Sequence, residues 1–254
     1  MLGHGRRFVT PKDVVDTLDV DRETAAKKLS RWAADGWLRR ARRGLYIPVP
    51  VDTRTPAAWS EDALIVATAV WSPCYFTGWT AANHWALTEQ VFRTTVLKTT
   101  GRVRSSSVRI LDHDYLVTHT SAEAATWGTK TEWLAEVHLS FADPVRTVVD
   151  ILDTPRLGGG IRHVAEILTA YLNDHDATAL VEYGDQLGNR TVFKRLGYLV
   201  EALDDNEHAD LVTACRERVS AGISLLDPDA PAVGRRLARW GLRVNARVER
   251  QEPS

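Results

Sequence analysis

The stretch 21-DRETAAKKLSRWAADGWLRRARRGLY-46 decides how this chain is read. It sets eight basic residues (Arg22, Lys27, Lys28, Arg31, Arg39, Arg40, Arg42 and Arg43) against three acids, in a 254-residue chain whose formal charge is only -1. Asp21 stands where an N-cap carboxylate belongs, and the pattern from Arg22 to Asp35 is helical. Ala25, Leu29, Trp32 and Ala33 recur at i, i+4, i+7 and i+8, a stripe suited to a small core. Thr24, Lys27, Lys28, Arg31 and Asp35 follow the opposite stripe, which is nearly all cationic. Gly36 closes the helix. After it, "WLRRA" and "GLYIPV" read as two short strands joined through Arg42, Arg43 and Gly44.

Immediately upstream, "TPKD" predicts a helix start, with Thr10 as cap, Pro11 at the first helical position and Asp13 as the capping-box acid. That helix runs to about Leu18, and "DVD" turns the chain into the next. Two helices and a basic hairpin outline a winged helix-turn-helix. "RRFVT" is then expected to be a short strand pairing with the wing, or the segment Ser60–Trp71 supplies a third helix. A DNA major groove admits one helix, whose outward residues reach base edges while a neighbouring hairpin lies along the phosphates. Arg22, Thr24, Lys27, Lys28 and Arg31 are therefore the expected reading face. Arg39, Arg40, Arg42 and Arg43 are expected to grip the backbone, which positions the protein without reading sequence. The alternative is an ordinary solvated helix face.

Charge is unevenly spread outside this stretch too. Residues 1–50 hold eleven Arg and Lys against six Asp and Glu, so a head of +5 precedes a body of -6. Within the body, Arg93, Lys98, Arg102, Arg104 and Arg109 fall in an acid-free run from Gln90 to Leu111, a candidate second basic patch. Arg102 and Arg104 share one side if that segment is a strand. Hydrophobic content of 44 % and nine Trp exclude a disordered chain. No apolar run nears the ~18 residues of a membrane span, and the start lacks a secretory apolar core. Cytoplasmic residence without a membrane partner is the expectation. Cys74 and Cys215 lack CxxC or Cys/His spacing, so buried thiols are expected rather than a disulfide or a metal site.

The Pro-rich stretch "IPVPVDTRTPAAW" reads as a linker. It divides a winged helix-turn-helix at residues 1–56 from a C-terminal domain at 57–254. The body opens with an apolar helix (61–71), the strand-like "CYFTG" and a short helix in "WTAANHWAL". "TTVLKTTG", "SSVRILD" and "YLVTHT" predict a small antiparallel sheet, and "TEWLAEVHLSF" one or two further strands. From Asp143 the pattern turns to five helices. The end, "ISLLDPDAP" and "RWGLRVNARV", is expected to return to the sheet. The fold class is α+β, with a winged helix-turn-helix followed by a mixed domain whose sheet is mainly antiparallel.

At these residues the chain resembles the AbiEi antitoxins of type IV toxin–antitoxin and phage-defence systems. The similar stretches are "YFTGWTAANHWALTEQ", "TTVLKTTGR", "DPVRTVVDILDTPRLGGGI", "KRLGYLVEAL" and "LLDPDAPAVGRRLARWGLRVN", behind the basic "RRARRGLY". The resemblance implies a head that binds inverted repeats in double-stranded DNA of its own promoter and represses the operon. It also implies a C-terminal antitoxin domain that counters a cognate AbiEii-like nucleotidyltransferase toxin, without requiring direct contact with it. Reading a palindrome implies two copies, hence a homodimer on DNA.

Enzymatic alternatives find little purchase in the residues. Asp112-His113-Asp114 sits between two predicted strands and reads as a turn. Gly158-Gly159-Gly160 precedes a helix but lacks the GK[ST] of a phosphate-binding loop. There is no GxSxG or HExxH, and none of the six lysines follows an acid by two positions, as a D…ExK nuclease requires. No catalytic residue, metal site or cofactor is expected. Trp79, Trp85, Trp127, Trp133 and Trp240 are expected in the core. Two other readings remain open: a stand-alone transcriptional regulator with a ligand-sensing C-terminal domain, and a nucleic-acid-processing enzyme.

Overall fold

The computed structural model describes residues 7–50, 61–134, 136–203 and 207–248. The head follows its capping signals. Helix α1 spans Pro11–Leu18, and Thr10 and Asp13 close the box: the Asp13 amide donates to Thr10 Oγ1 at 3.4 Å and the Thr10 amide to Asp13 Oδ2 at 2.8 Å. Helix α2 spans Arg22–Ala34, with Asp21 Oδ1 accepting from the Glu23 and Thr24 amides at 2.9 Å each. Gly36, at φ 83°, lets the chain leave the helix through the left-handed region. Strands β1 (Leu38–Arg42) and β2 (Leu45–Pro48) form the antiparallel wing, with a register shift between Arg40 and Arg42. Val9 adds the expected third segment, exchanging both backbone hydrogen bonds with Tyr46 at 2.8 and 3.0 Å.

The two faces of this hairpin do different things. Leu38 and Tyr46 join Val9, Val14, Ala25 and Leu29 in the head's own core. On the opposite face Ile47, fully buried, enters a cluster of the body with Val66 of α3 (Ala63–Trp71) and Tyr115. Arg39, paired across the hairpin with Ile47, reaches Asp112 at 3.0 Å. Helix α3 thus lies behind the wing and packs on the body sheet. Of the linker expected at residues 47–59, Ile47 and Pro48 belong instead to β2, and residues 51–59 lie outside the described residues.

The body centres on a six-stranded sheet built from β3 (Cys74–Phe76), β4 (Thr94–Thr99), β5 (Ser107–Ile110), β6 (His113–His119), β7 (Thr129–Leu134) and β8 (Val137–Ala142). Its order is β5-β6-β4-β3-β8-β7, with β4/β6 and β3/β8 parallel and the other three pairings antiparallel. Helix α4 (Gly78–His84) follows β3. Alternation along β4 sends Leu97 to the cluster with α3 and Val96 to the larger core. That core is built on α5 (Pro144–Asp153), α6 (Ile161–Asp174), α7 (Thr178–Leu187), α8 (Thr191–Leu203) and α9 (Ala209–Glu217). Leu111 and Asp112, both at positive φ, make the β5–β6 turn expected of the Asp-His-Asp trio, while His113 and Asp114 belong to β6.

Two expectations need correction. The C-terminal strands do not return to the main sheet: β9 (Ser224–Leu225), β10 (Arg235–Leu237) and β11 (Leu242–Val244) form their own sheet in the order β10-β11-β9. They are pinned against α8 instead. Arg195 donates to the Leu226 and Leu225 carbonyls at 3.0 and 3.2 Å, and the fully buried Trp240 ring fills the space beside Gly197, where a Cβ would come within 2.2 Å of it. Nor is every Trp in the core: Trp133, on the edge strand β7, is 66 % exposed.

Candidate nucleic-acid interface

The apolar stripe of α2 is buried where the spacing placed it, which leaves Lys27, Lys28 and Arg31 exposed on the opposite face, while Arg22 is exposed at the first position of the helix, on the side that turns toward α1. Two of these cations have local partners on their own helix. Lys27 Nζ lies 2.7 Å from Glu23 and Arg31 Nε 3.8 Å from Asp35, each one turn away. Such exposed i,i+4 pairs contribute roughly 0.3–0.5 kcal/mol and exchange readily for a phosphate. Thr24 differs from its expected role. Its hydroxyl donates to Asp21 Oδ2 at 2.6 Å and so completes the helix cap; this bond, with the Thr24 and Glu23 amides, holds the Asp21 carboxyl below the ordinary aspartate range. The α2 N-terminus therefore carries a fixed negative charge beside Arg22.

A concave surface adjoins this face. Thr10, Pro11, Lys12 and Val15 of α1, Arg22 at the start of α2, and Arg43-Gly44 at the wing turn line a groove of about 590 Å³. Three cations from three elements converge there. Arg40, Arg42 and Arg43 are exposed along the wing. Arg39 is corrected: it lies on the rear of the hairpin beside Ile47, its guanidinium held by Asp112, because side chains alternate along a strand and the rear face is the one docked to the body. Lys12 was missed by the sequence reading. Its signal was a cation in the first turn of a helix, where the dipole disfavours positive charge and an external anion would favour it.

The second basic patch is not one surface. Lys98 is buried, with Nζ 2.8 Å from Asp150 Oδ1, because it points from β4 toward α5. Arg93 and Arg109 are exposed at one end of the sheet, since Thr94, Asp114 and Arg109 are in register across three strands; Arg109 also lies 3.5 Å from Asp114. Arg102 and Arg104 belong to the loop after β4, not to a strand, at the other end of that six-residue strand. At about 3.3 Å per residue, roughly 20 Å separates the two pairs.

The buried group around Asp150 is the body's main polar feature. Asp150 accepts from Lys98, from Arg146 Nε at 3.0 Å, from Thr77 Oγ1 at 2.7 Å and from the Tyr75 hydroxyl at 3.2 Å. Burial alone would raise the Asp150 pKa; Lys98 and Arg146 more than reverse this and hold it below the ordinary value. Arg146 also stacks 3.5 Å over the Trp127 ring. Gly159 and Gly160 enter α6 at positive φ, and the site is already taken: the Ile161 amide donates to Asp227 Oδ2 at 3.1 Å. Among the described residues no group of three or more His, Cys, Asp or Glu is placed to hold a metal ion. A cavity of about 210 Å³ lies among Trp79, His84, Phe92 and Phe141. That is below the roughly 300–1,000 Å³ of sites for drug-sized ligands.

These features define a class: a winged-helix head with an outward cationic face, docked by the back of its wing on an α+β body. Residues 4–49 match the model of the family described as "Transcriptional regulator, AbiEi antitoxin". Over 93 % of this chain and 86 % of the other, the fold is shared with the crystal structure of the RV2827C protein from Mycobacterium tuberculosis, at a TM-score of 0.64 and 16 % identity. No curated protein matches the sequence. No helix among the described residues is long and apolar enough to cross a membrane.

Proposed function

We propose that this protein is a cytoplasmic, non-enzymatic DNA-binding antitoxin that represses its own operon. In this reading α2 enters the major groove of an inverted repeat. Arg22, Lys27, Lys28 and Arg31 face the bases, while Arg40, Arg42, Arg43 and Lys12 meet the phosphates. The observation that carries it is the convergence of Lys12, Arg22 and Arg43, from two helices and the wing, on one open groove beside the exposed face of α2. The family match over the same residues supports it. The body, whose larger core contains no residue of the head, is assigned the second half of the role, countering a nucleotidyltransferase toxin encoded alongside. A stand-alone regulator sensing a ligand is less well supported, because the body's aromatic cavity is small.

Fluorescence anisotropy of the full chain on its own upstream duplex and on a shuffled duplex, across a salt series, tests the first half. Tighter binding to the native duplex, with affinity falling steeply as salt rises, is the expected result. Equal and weak binding to both would remove autorepression. Growth rescue on co-expression with the neighbouring toxin gene tests the second half, and absence of rescue would leave only a regulator.

A further inference from the structure

Strand β7 closes one edge of the six-stranded sheet, and among the described residues no strand pairs with its outer side. Its six residues, Thr129–Leu134, pair with β8 in unbroken register from Thr129↔Ala142 to Leu134↔Val137, so no bulge twists the edge away. Lys130, Thr131, Glu132 and Trp133 are exposed in succession. A long, straight edge with an exposed Trp is a surface that proteins ordinarily protect.

We infer that β7 pairs antiparallel with β7 of a second copy of this chain, about a two-fold axis through Thr131, to give a continuous sheet across a homodimer. Only centring on Thr131 or Glu132 pairs five of the strand's six residues, and of these two the sequence selects the first. A two-fold axis relating antiparallel strands stands perpendicular to the sheet and keeps each side chain on its own face. Directly opposed residues also share a face, so only registers centred on a residue are allowed. Centring on Lys130 sets it against itself, and centring on Glu132 does the same for the carboxylate; like charges directly opposite are unfavourable. Centring on Thr131 instead sets Lys130 against Glu132 twice, and Thr129 against Trp133 twice, so both charges and the exposed indole gain a partner. Lys130 already rests on that face, its Nζ 5.0 Å above the Trp85 ring.

The dimer gives the palindrome reading its second head, and its biological sense rests on that reading. A contact of five residues per strand is small beside the roughly 1,200–2,000 Å² of stable complexes. Association in the micromolar range follows, with DNA bringing the copies together.

The test is sedimentation equilibrium of the full chain without DNA, over a concentration series reaching the high micromolar range. Wild type should self-associate, and Lys130→Glu and Glu132→Lys should each weaken association about tenfold, since each turns two attractive pairs repulsive. An equimolar mixture of the two variants should recover it, because in the mixed dimer both pairs become attractive again, as should the double exchange K130E/E132K. A monomeric wild type, variants that associate as wild type does, or a mixture that fails to recover would each overturn the inference. Binding of every variant to a half-site duplex is measured alongside. Failure there with dimerisation intact removes the operator reading and leaves the interface standing.

Discussion

The outward face of the head and the buried centre of the body use cations in opposite ways. On the head, Arg22, Lys28, Arg40, Arg42 and Arg43 are exposed, and Lys27 and Arg31 have only solvent-exposed partners one turn away. In the body, Lys98 and Arg146 are almost wholly buried around one carboxylate, Asp150, that accepts four hydrogen bonds. Exposed charge of one sign costs the fold little and leaves its electrostatic attraction available to a partner. Buried charge is spent on the fold, and its removal is felt as instability. A basic residue in this sequence is therefore evidence for DNA only once its neighbours across the fold are known.

The sharpest way to break the contrast is Asp150→Asn. It leaves Lys98 and Arg146 buried without their counter-charge, and unfolding in urea should show a loss of about 3–5 kcal/mol. Its pH signature has a definite sign. The folded pKa of Asp150 lies below its unfolded value, so the stabilisation is complete above the unfolded pKa, near 4, and is lost as pH falls through the folded one. Between neutral pH and about pH 4 the wild type should keep this contribution, then lose it in the acid range, while the Asn variant shows a flatter acid limb. Operator affinity of the folded variant should be unchanged, and a loss of DNA binding equal to that of a head variant would sink the division proposed here.

Lys12→Ala, Arg22→Ala and Arg43→Ala together form the reciprocal test. The three side chains belong to no hydrophobic cluster, so stability should stay within about 0.5 kcal/mol of wild type. DNA binding should weaken, with the slope of log affinity against log salt falling by about 2, near 0.9 for each of the phosphate contacts of Lys12 and Arg43, while Arg22→Ala removes a base contact. An unaltered slope would take the groove out of the interface. Asp21→Ala is smaller and of mixed kind. It removes the cap of α2 and should cost about 1 kcal/mol of stability. It also removes an acid from the helix end that approaches DNA, so affinity of the folded fraction should rise slightly, which anisotropy at fixed salt would register.

How far the sequence told this in advance depends on the range over which the relevant physics acts. The Thr10–Asp13 box, the Asp21 cap, the stripe of Ala25 and Leu29 and the exit at Gly36 are settled within a few residues, and each reads directly. The pairing of Val9 with Tyr46 was foreseeable because a hairpin with a free edge calls for a third strand. Lys98 was misread as surface because its partner, Asp150, is 52 residues away and on a helix. The strand pattern of "TTVLKTT" gave the alternation but not which face was covered. Arg39 was misplaced for a related reason: in "LRRAR" every second residue shares a side, yet only Ile47 packing behind the wing reveals which side is docked. Of the strands after residue 223, β9 and β11 were recognised as extended and β10 was not, and their sheet was missed, since Arg195 and Gly197, which receive them, carry no local mark of that role.

The smallest expected effect is the most discriminating for the geometry of the complex. Arg102 and Arg104 are exposed, basic and free of acidic sequence neighbours, so by charge alone they are as good as the wing. Position separates them from it. They follow Thr99 at one end of β4, whereas the head is tied at the other end, where Asp112 in the β5–β6 turn meets Arg39. A duplex held by α2 and the wing lies more than a Debye length, about 8 Å at physiological salt, from that loop if it runs straight. R102A/R104A should then leave both the affinity and the salt slope as they were. A slope reduced by about 2 would mean that the duplex reaches the far end of the sheet. It would have to bend around the body to do so, and the body's cations would join the DNA-binding surface from which their place in the fold now separates them.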